Sequence, residues 1–418
     1  MQTNEDIFES AKKQLKKACE IYEISRWSVE KFELITSPTR IIEISIPVKM
    51  DNGTIRVFTW FRSQHNDARW PFKWGIRFHQ DVSRSEVKAL SMWMTLKCAV
   101  VDIPLWGGKW WIIVDPKTLS ETELERLSRG YVKILHKYIW PDQDVPAPDV
   151  NTNPKIMWWM MDEYSELTGR YAPGSFTGKP LTVWGSKWRG IATAQWGMFV
   201  LQKILELEND MLAWKKVIIQ WAGNAGLTAA SVLIKVWAII VGMADSHGGI
   251  YAPEGIDVSK IEALKANKKS VVEYGIWEKC TEKEILEKDC DILIPAALEN
   301  QITSNNASKV KAKYILELAN GPTSSEADEL LFAAWKIVIP DILANAWGVS
   351  VSYFEQVQNS MNFYWKASEV EERLKEKMSE SAQDVYNTGK KYNTFLRNGA
   401  YVVALKRIFD AMKDRGDL

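Results

Sequence analysis

The segment Val217-Ile218-Ile219-Gln220-Trp221-Ala222-Gly223-Asn224-Ala225-Gly226 constrains the fold of this 418-residue chain more than any other. A β-branched run feeds a glycine-containing turn, and an acid, Asp245, follows 19 positions after Gly226. This is the layout of a dinucleotide-binding strand–turn–helix unit. Backbone N–H groups and the helix N-terminus hold a pyrophosphate, and the carboxylate accepts from ribose hydroxyls. One position breaks the pattern. The first glycine of G-x-G-x-x-G makes the tight turn, and here it is Trp221, which has a Cβ where the turn favours none.

The flanking sequence fits a Rossmann-type unit. Strand-like runs at 217–220, 238–244, 291–294, 314–316 and 336–339 alternate with helical stretches, which predicts an α/β fold with a parallel, doubly wound sheet. Upstream, Ile7, Ala11, Leu15, Ala18 and Tyr22 recur at helical spacing. Ile42, Ile44, Ile46 and Val48 alternate as a strand, Asn52-Gly53 suits a type I′ turn, and 55–61 returns as the partner strand. Ser83 with Glu86 and Ser120 with Glu123 read as capping boxes for helices reaching Lys97 and about residue 139, with a buried strand at 99–104 between them. The proline-rich 144–149 reads as a stiff extended loop, and Asn153-Pro154 as the N-cap and first residue of another helix. Further capping boxes are expected at Thr281, Thr323 and Ser368, and the stretch 174–186 marks the passage between domains.

Charge excludes several functions. Lys+Arg and Asp+Glu both number 53, and no block of one sign offers a footprint for nucleic acid or an anionic membrane. The longest apolar stretch, 232–244, is too short to cross a bilayer, and the N-terminus lacks the features of a secretory signal, so a cytoplasmic protein is expected. Four cysteines without C-x-x-C and four histidines without H-E-x-x-H argue against a metal site or disulfide framework.

Three lysines stand in unusual settings: Lys73 in Phe72-Lys73-Trp74-Gly75-Ile76-Arg77, Lys97 at a helix end, and Lys109 in Trp106-Gly107-Gly108-Lys109-Trp110-Trp111. A lysine among glycines is readily buried, and burial beside other cations lowers its pKa until it serves as a base near neutral pH. The segments around these lysines, together with Pro146-Ala147-Pro148-Asp149, Gly223-Asn224-Ala225-Gly226, Ala319-Asn320-Gly321-Pro322 and Pro340-Asp341-Ile342-Leu343-Ala344-Asn345-Ala346, resemble hexameric glutamate dehydrogenases of the Glu/Leu/Phe/Val dehydrogenase family. The resemblance runs nearly end to end.

It implies a substrate and assembly domain over 1–184 and 396–418, a dinucleotide-binding domain over 185–395, and catalysis in the cleft between them. Lys73 and Ser352 would hold the side-chain carboxylate of glutamate, Lys97 its α-carboxylate, and Lys109 and Asp149 would move protons. Thr193, Trp221, Gly223, Asn224, Gly226, Asp245, Ser246, Asn320 and Asn345 would contact the cofactor. Asp245 leans the choice toward NAD by accepting from the 2′-hydroxyl and repelling a 2′-phosphate, while His247 or a nearby lysine could accommodate that phosphate and leaves NADP open. The implied reaction converts L-glutamate to 2-oxoglutarate and ammonia in a homohexamer. A dehydrogenase for an apolar amino acid is the alternative; Lys73 and Ser352 oppose it, since a buried lysine facing an apolar side chain would lack its partner.

Against that family pattern, tryptophan stands where glycine or another small residue belongs at positions 60, 70, 74, 106, 110, 111, 140, 158, 184, 188, 196, 214, 221, 237, 277, 335 and 347. Strain or overpacking of about 1–3 kcal/mol at each would together exceed a typical stability of about 5–15 kcal/mol. The one-directional change points to UGA codons read as glycine in the source organism and rendered here as tryptophan. If the tryptophans are literal, an inactive homologue is the remaining expectation.

Overall fold

Alternation over 40–64 builds a long antiparallel hairpin, β1 (Arg40–Lys49) with β2 (Ile55–Gln64), paired from Arg40↔Gln64 to Lys49↔Ile55. The computed structural model describes residues 7–22, 29–69, 71–81, 83–187, 192–275 and 277–418; Trp70 and Trp188 fall outside these, as do the side chains of Ala11, Trp74, Thr193 and Trp196. The hairpin turn is not the expected type I′. Only Gly53 takes a positive φ, and Met50 N–H donates to Thr54 O across a three-residue loop. A single left-handed glycine suffices for that longer loop, whereas type I′ needs two such residues.

Three further strands complete the first sheet: β3 (Phe72–His79), β4 (Trp106–Ile113) and β5 (Asp144–Pro148), in the order β1-β2-β4-β3-β5. On one face Trp60, Ile76, Phe78, Trp110 and Ile112 pack into a core with Leu127, Tyr131, Met157 and Met160 from the helices Glu121–Leu135 and Pro154–Thr168. Asn153 caps the second helix ahead of Pro154, and Ser120 with Glu123 closes a full capping box on the first. Ser83 caps Arg84–Val100.

Two expectations here are overturned. Residues 99–104 are the end of the helix Arg84–Val100 and the turn after it, with Asp102 left-handed. A short apolar run reads alike as helix end or buried strand, and the strand lies just beyond, at β4. The proline-rich 144–149 is largely strand β5 rather than loop. Its prolines are tolerated because β5 pairs only with β3, at the sheet edge, where some N–H groups go unused. The helix Glu121–Leu135 also stops before residue 139.

The second sheet has seven strands: β6 (Lys216–Gln220), β7 (Ile239–Asp245), β8 (Gly248–Tyr251), β9 (Glu278–Cys280), β10 (Ile292–Pro295), β11 (Tyr314–Leu316) and β12 (Ile337–Ile339), ordered β12-β11-β10-β6-β7-β8-β9. All five expected strands are present and parallel. The antiparallel β8 and β9 were not anticipated. Because β6 lies between β10 and β7, the turn leaving its carboxyl end sits at the topological switch point, where such sheets bind nucleotides. The capping box at Thr281 forms, but it opens the short 3-10 turn Glu284–Glu287. The cap of Ser325–Ala333 is Ser324 rather than Thr323, and a Glu369 carboxylate accepts from Lys366 N ahead of Ala367–Lys391.

The fold divides into one unit of residues 1–189, 349–371 and 404–418 and a second of 190–348 and 372–403. Ser352, on the helix Trp347–Met361, therefore belongs with the first sheet, although the sequence division had placed it in the 185–395 stretch. Among the described residues, no helix is long and apolar enough to cross a membrane.

Candidate functional site

Strand alternation puts Lys73, Gly75 and Arg77 of β3 on one face of the first sheet. Register places Gly107 of β4 beside Lys73 and Trp111 beside Arg77, so Lys109 falls between them on the same face. On the other side β5 aligns Val145 with Lys73 and Ala147 with Gly75, and the chain then reaches Asp149. Three strands thus bring Lys73, Lys109 and Asp149 together.

Glycine makes the fit possible. A methyl on Gly75 would collide with Asp149 Cβ, and one on Gly107 would strike the backbone of Ser91 and Thr95 in the helix Arg84–Val100. That close approach seats the helix on β4. Lys97 lies in its last turn, partly buried.

Lys109 is fully buried, and its Nζ donates to Asp149 Oδ2 at 2.6 Å; Arg77 Nε donates to the same oxygen at 3.0 Å. Burial pushes the Lys109 pKa well below its ordinary value; the Asp149 carboxylate opposes this and Arg77 adds to it. Burial acts upward on Asp149, but the Lys109 and Arg77 cations more than offset it and hold the carboxyl below the usual range. Burial thus moves the amine toward losing its proton while the acid is held toward its ionised form, the directions that a base and proton shuttle would need.

Nearby, Lys73 Nζ donates to Val145 O at 2.9 Å and to Thr177 Oγ1 at 2.7 Å. Thr177 Oγ1 lies 2.5 Å from Ser352 Oγ, and all three residues are buried. A buried lysine bonded to one hydroxyl, with a second hydroxyl one bond further on, offers polar groups suited to a carboxylate. The buried pair Lys179–Glu355, at 2.8 Å, together with the Gly178 N–H bond to Glu355 Oε2, ties the Thr177 loop to the helix bearing Ser352. Sequence reasoning missed Arg77 and Thr177. Period-two spacing from Lys73 would have found Arg77; nothing local marks Thr177.

In the second unit, Gly223 caps the helix Asn224–Lys235 at the end of β6. A Cβ on Gly226 would collide with Trp221 O, so that position admits only glycine. Asp245 ends β7 and accepts from Lys265 Nζ at 2.9 Å, Ser270 Oγ at 2.9 Å, Val271 N at 2.9 Å and His247 N at 3.0 Å. Burial raises its pKa, but these donors, Lys265 foremost, bring it down to about 2. Asn224, Ser246 and Asn320 are exposed; Asn345 Nδ2 donates to Asn320 Oδ1 at 2.9 Å. The backbone of Thr193 lies in the first turn of Ala192–Leu207.

The tryptophans are geometrically out of place. Among the described residues, positive φ outside glycine falls on six Asn or Asp residues, on Lys268, and on Trp184, Trp214, Trp221, Trp237 and Trp335. Asn and Asp tolerate that region; a bulky residue there is an outlier. After the helices Asn224–Lys235 and Ser325–Ala333, Trp237 and Trp335 each occupy the C′ position of a Schellman turn, with Ala238 N bonded to Leu233 O and Lys336 N to Leu331 O. Glycine is the usual residue there. In the fingerprint itself, Trp221 has φ 103° and lays its indole across Gly223. The buried indole N–H groups of Trp60, Trp106, Trp110 and Trp111 find no acceptor among the described residues.

A lysine–carboxylate centre on one sheet and a Rossmann-type turn on another define a dinucleotide-linked dehydrogenase of amino acids. Comparison with known proteins narrows the class. The family model for Glutamate/Leucine/Phenylalanine/Valine dehydrogenase matches residues 185–416, and that for the Glu/Leu/Phe/Val dehydrogenase dimerisation domain matches 38–166. The chain is 45% identical over 387 residues to a catabolic NAD-specific glutamate dehydrogenase of Bacillus subtilis, covering 93% of this chain and 91% of that one. It is 44% identical to an NAD-specific glutamate dehydrogenase of Staphylococcus aureus, covering 92% and 93%. Among solved structures it superposes on the glutamate dehydrogenase of Peptoniphilus asaccharolyticus with a TM-score of 0.89 at 39% identity, covering 99% and 100% of the two chains. A hetero-hexameric glutamate dehydrogenase of Thermus thermophilus gives 0.89 at 32% identity, covering 100% and 99%. The chain belongs to the Glu/Leu/Phe/Val dehydrogenase family.

Proposed function

We propose that this protein is an NAD-dependent glutamate dehydrogenase, interconverting L-glutamate and 2-oxoglutarate plus ammonia. The observation that carries the reading is the buried Lys109 amine held against an ionised Asp149, on the same sheet face as the Lys73–Thr177–Ser352 seat. Lys73 and Ser352 would take the side-chain carboxylate and Lys97 the α-carboxylate, so that two cations orient one dicarboxylate. Bound NAD supplies the acceptor for the Cα hydride. Lys109, neutral, takes a proton from the water that attacks the resulting substrate imine, and Asp149 relays protons until ammonia departs.

The ionised Asp245 suits a ribose 2′-hydroxyl and opposes a 2′-phosphate, which favours NAD over NADP. Thr193, Gly223, Asn224, Gly226, Ser246, Asn320 and Asn345 complete the proposed cofactor contacts, with the backbone of position 221 joining them once Trp221 is replaced by glycine. We place the enzyme in the cytoplasm as a homohexamer; the hetero-hexameric Thermus thermophilus relative supports six subunits.

Because an apolar ligand would desolvate the charged and hydroxyl groups of this seat without offering them a carboxylate, glutamate is expected to exceed leucine in kcat/KM by about 10⁴-fold. Parallel initial-rate assays decide this, and a preference for leucine would overturn the assignment.

The turn fits a dinucleotide only if residue 221 is glycine. We propose that the 17 anomalous tryptophans are glycine in the living protein, encoded by UGA. At Trp184, Trp214, Trp221, Trp237 and Trp335 the left-handed φ values, with Schellman turns at the last two, support this independently of any family pattern. Codon sequence and the intact mass of protein purified from its source test it. UGG codons, or a mass that includes the tryptophans, would end the idea.

A further inference from the structure

Next to the Asn320–Asn345 amide pair lies a cluster of charged side chains that neither the lysine centre nor the fingerprint uses. Glu317, Asp328 and Asp341 converge on Arg397, which enters from the first turn of the helix Leu396–Arg415. Arg397 Nε donates to Asp328 Oδ2 at 2.6 Å, Nη1 to Asp341 Oδ1 at 2.7 Å and Nη2 to Glu317 Oε1 at 2.7 Å. Glu317 is fully buried and Asp328 nearly so. Three carboxylates around one guanidinium are a poor way to gain stability alone, since desolvating each charge is costly and a single pair would leave less of it unbalanced.

The second oxygens explain the arrangement. Glu317 Oε2 accepts from Asp341 N at 2.8 Å, and Asp341 Oδ2 accepts from Gly321 N at 2.9 Å. Asn345 N donates to Asp341 O at 3.0 Å, and its side chain reaches Asn320. Charge-assisted bonds therefore run from Arg397 through Glu317 and Asp341 to the Gly321 N–H beside Asn320, and two neutral bonds, Asn345 N to Asp341 O and Asn345 Nδ2 to Asn320 Oδ1, carry the connection to both amides. Gly321, at φ 57°, lets the loop turn outward at its end.

We infer that Arg397 and Glu317 are positioning residues for the dinucleotide, fixing Asn320 and Asn345 through Asp341. The inference rests on the reading of those two amides as cofactor contacts. It assigns a purpose to a charge cluster that touches no substrate group.

Burial, opposed by Arg397 and helped by Asp341 and Asp328, pushes Glu317 up to about 7, with Tyr401 also facing the cluster. Glu317→Gln keeps the side chain's shape, removes its charge and sets an amide NH2 against one of two donors, Arg397 Nη2 or Asp341 N, so it breaks one link of the set. The test uses the full-length chain with glycine at the 17 positions, comparing Arg397→Lys, Glu317→Gln and Asn320→Ala. Arg397→Lys is expected to raise both Kd and KM for NAD about tenfold, through the loss of bonds to buried charges, and Glu317→Gln about threefold. KM for glutamate should stay within about twofold of the parent in both. Hydrogen exchange at the Gly321 amide should quicken alongside.

Equal rises in both KM values, or quicker exchange with NAD affinity unchanged, would reduce the cluster to a structural role and overturn the inference. Should Arg397→Lys fail to fold, Glu317→Gln decides alone, and unchanged NAD affinity overturns it. If Asn320→Ala itself leaves NAD binding intact, the cofactor reading of the loop fails and takes the inference with it. If Asn320→Ala weakens NAD while the other two variants do not, the inference alone fails.

Discussion

Lys109→Ala, in the glycine form of the enzyme, is expected to lower kcat by about 10²–10⁴-fold, the range for removing a positioned general base, while Kd for NAD moves by less than about twofold. Steady-state kinetics and a binding titration separate the two, and equal losses would reject Lys109 as the base. The pH profile should follow its protonation. Because burial and Arg77 lower its pKa, the neutral base persists well below lysine's ordinary 10.5, and activity falls as pH drops through the lowered value. Arg77→Gln removes one of the downward influences. Its acid limb should therefore shift to higher pH, whereas a shift to lower pH would contradict the electrostatic account. Asp149 stays ionised across this range and contributes no limb of its own near neutrality.

The second large effect is on stability. A left-handed backbone costs an ordinary L-residue about 1–2 kcal/mol relative to glycine. Trp184, Trp214, Trp221, Trp237 and Trp335 all sit there, and none is buried, so replacing them with glycine opens no cavity. Some packing is lost, since Trp184 stacks on Tyr364 at 4.9 Å and Trp214 meets Trp237 at 5.9 Å, contacts worth about 0.5–1.5 kcal/mol each. Strain relief outweighs these losses. The five replacements together should stabilise by about 5 kcal/mol, with Trp214 and Trp237 failing to add because they touch. Denaturant unfolding of the chain as written against the fivefold variant measures this; equal or lower stability would show that tryptophan belongs at these positions. The variant should also gain NAD binding, because the indole of residue 221 no longer covers Gly223.

Much of the second sheet was legible because β-branched runs such as Val217–Gln220 and Ile337–Ile339 carry strand preference in their own composition. The strands β8 and β9 were not, being short and stabilised by pairing rather than by pattern. At 99–104 and 144–149 the sequence misled for two different reasons. In the first, an apolar stretch fits either state; in the second, proline argues against a strand only if both edges must be paired. Caps slipped by a residue or two at Thr323 and Ser368, where adjacent hydroxyl and charged residues compete for the same helix end. As for the site, Lys109 was marked by its glycines. Thr177 gains meaning only when the loop folds onto Lys73 and Ser352, from 104 and 175 positions away.

The proline strand has one more consequence. Pro146 and Pro148 deny the outer edge of β5 a full row of donors, so a passing extended chain cannot readily dock beside Asp149, the proposed proton relay. The opposite edge, β1, is ten residues long, proline-poor and mostly exposed, with Ile41, Ile55 and Val57 of the hairpin facing solvent. One margin of the sheet is thus closed to strand addition and the other left open. Growth of this sheet by a second chain has only one direction available, away from the chemistry.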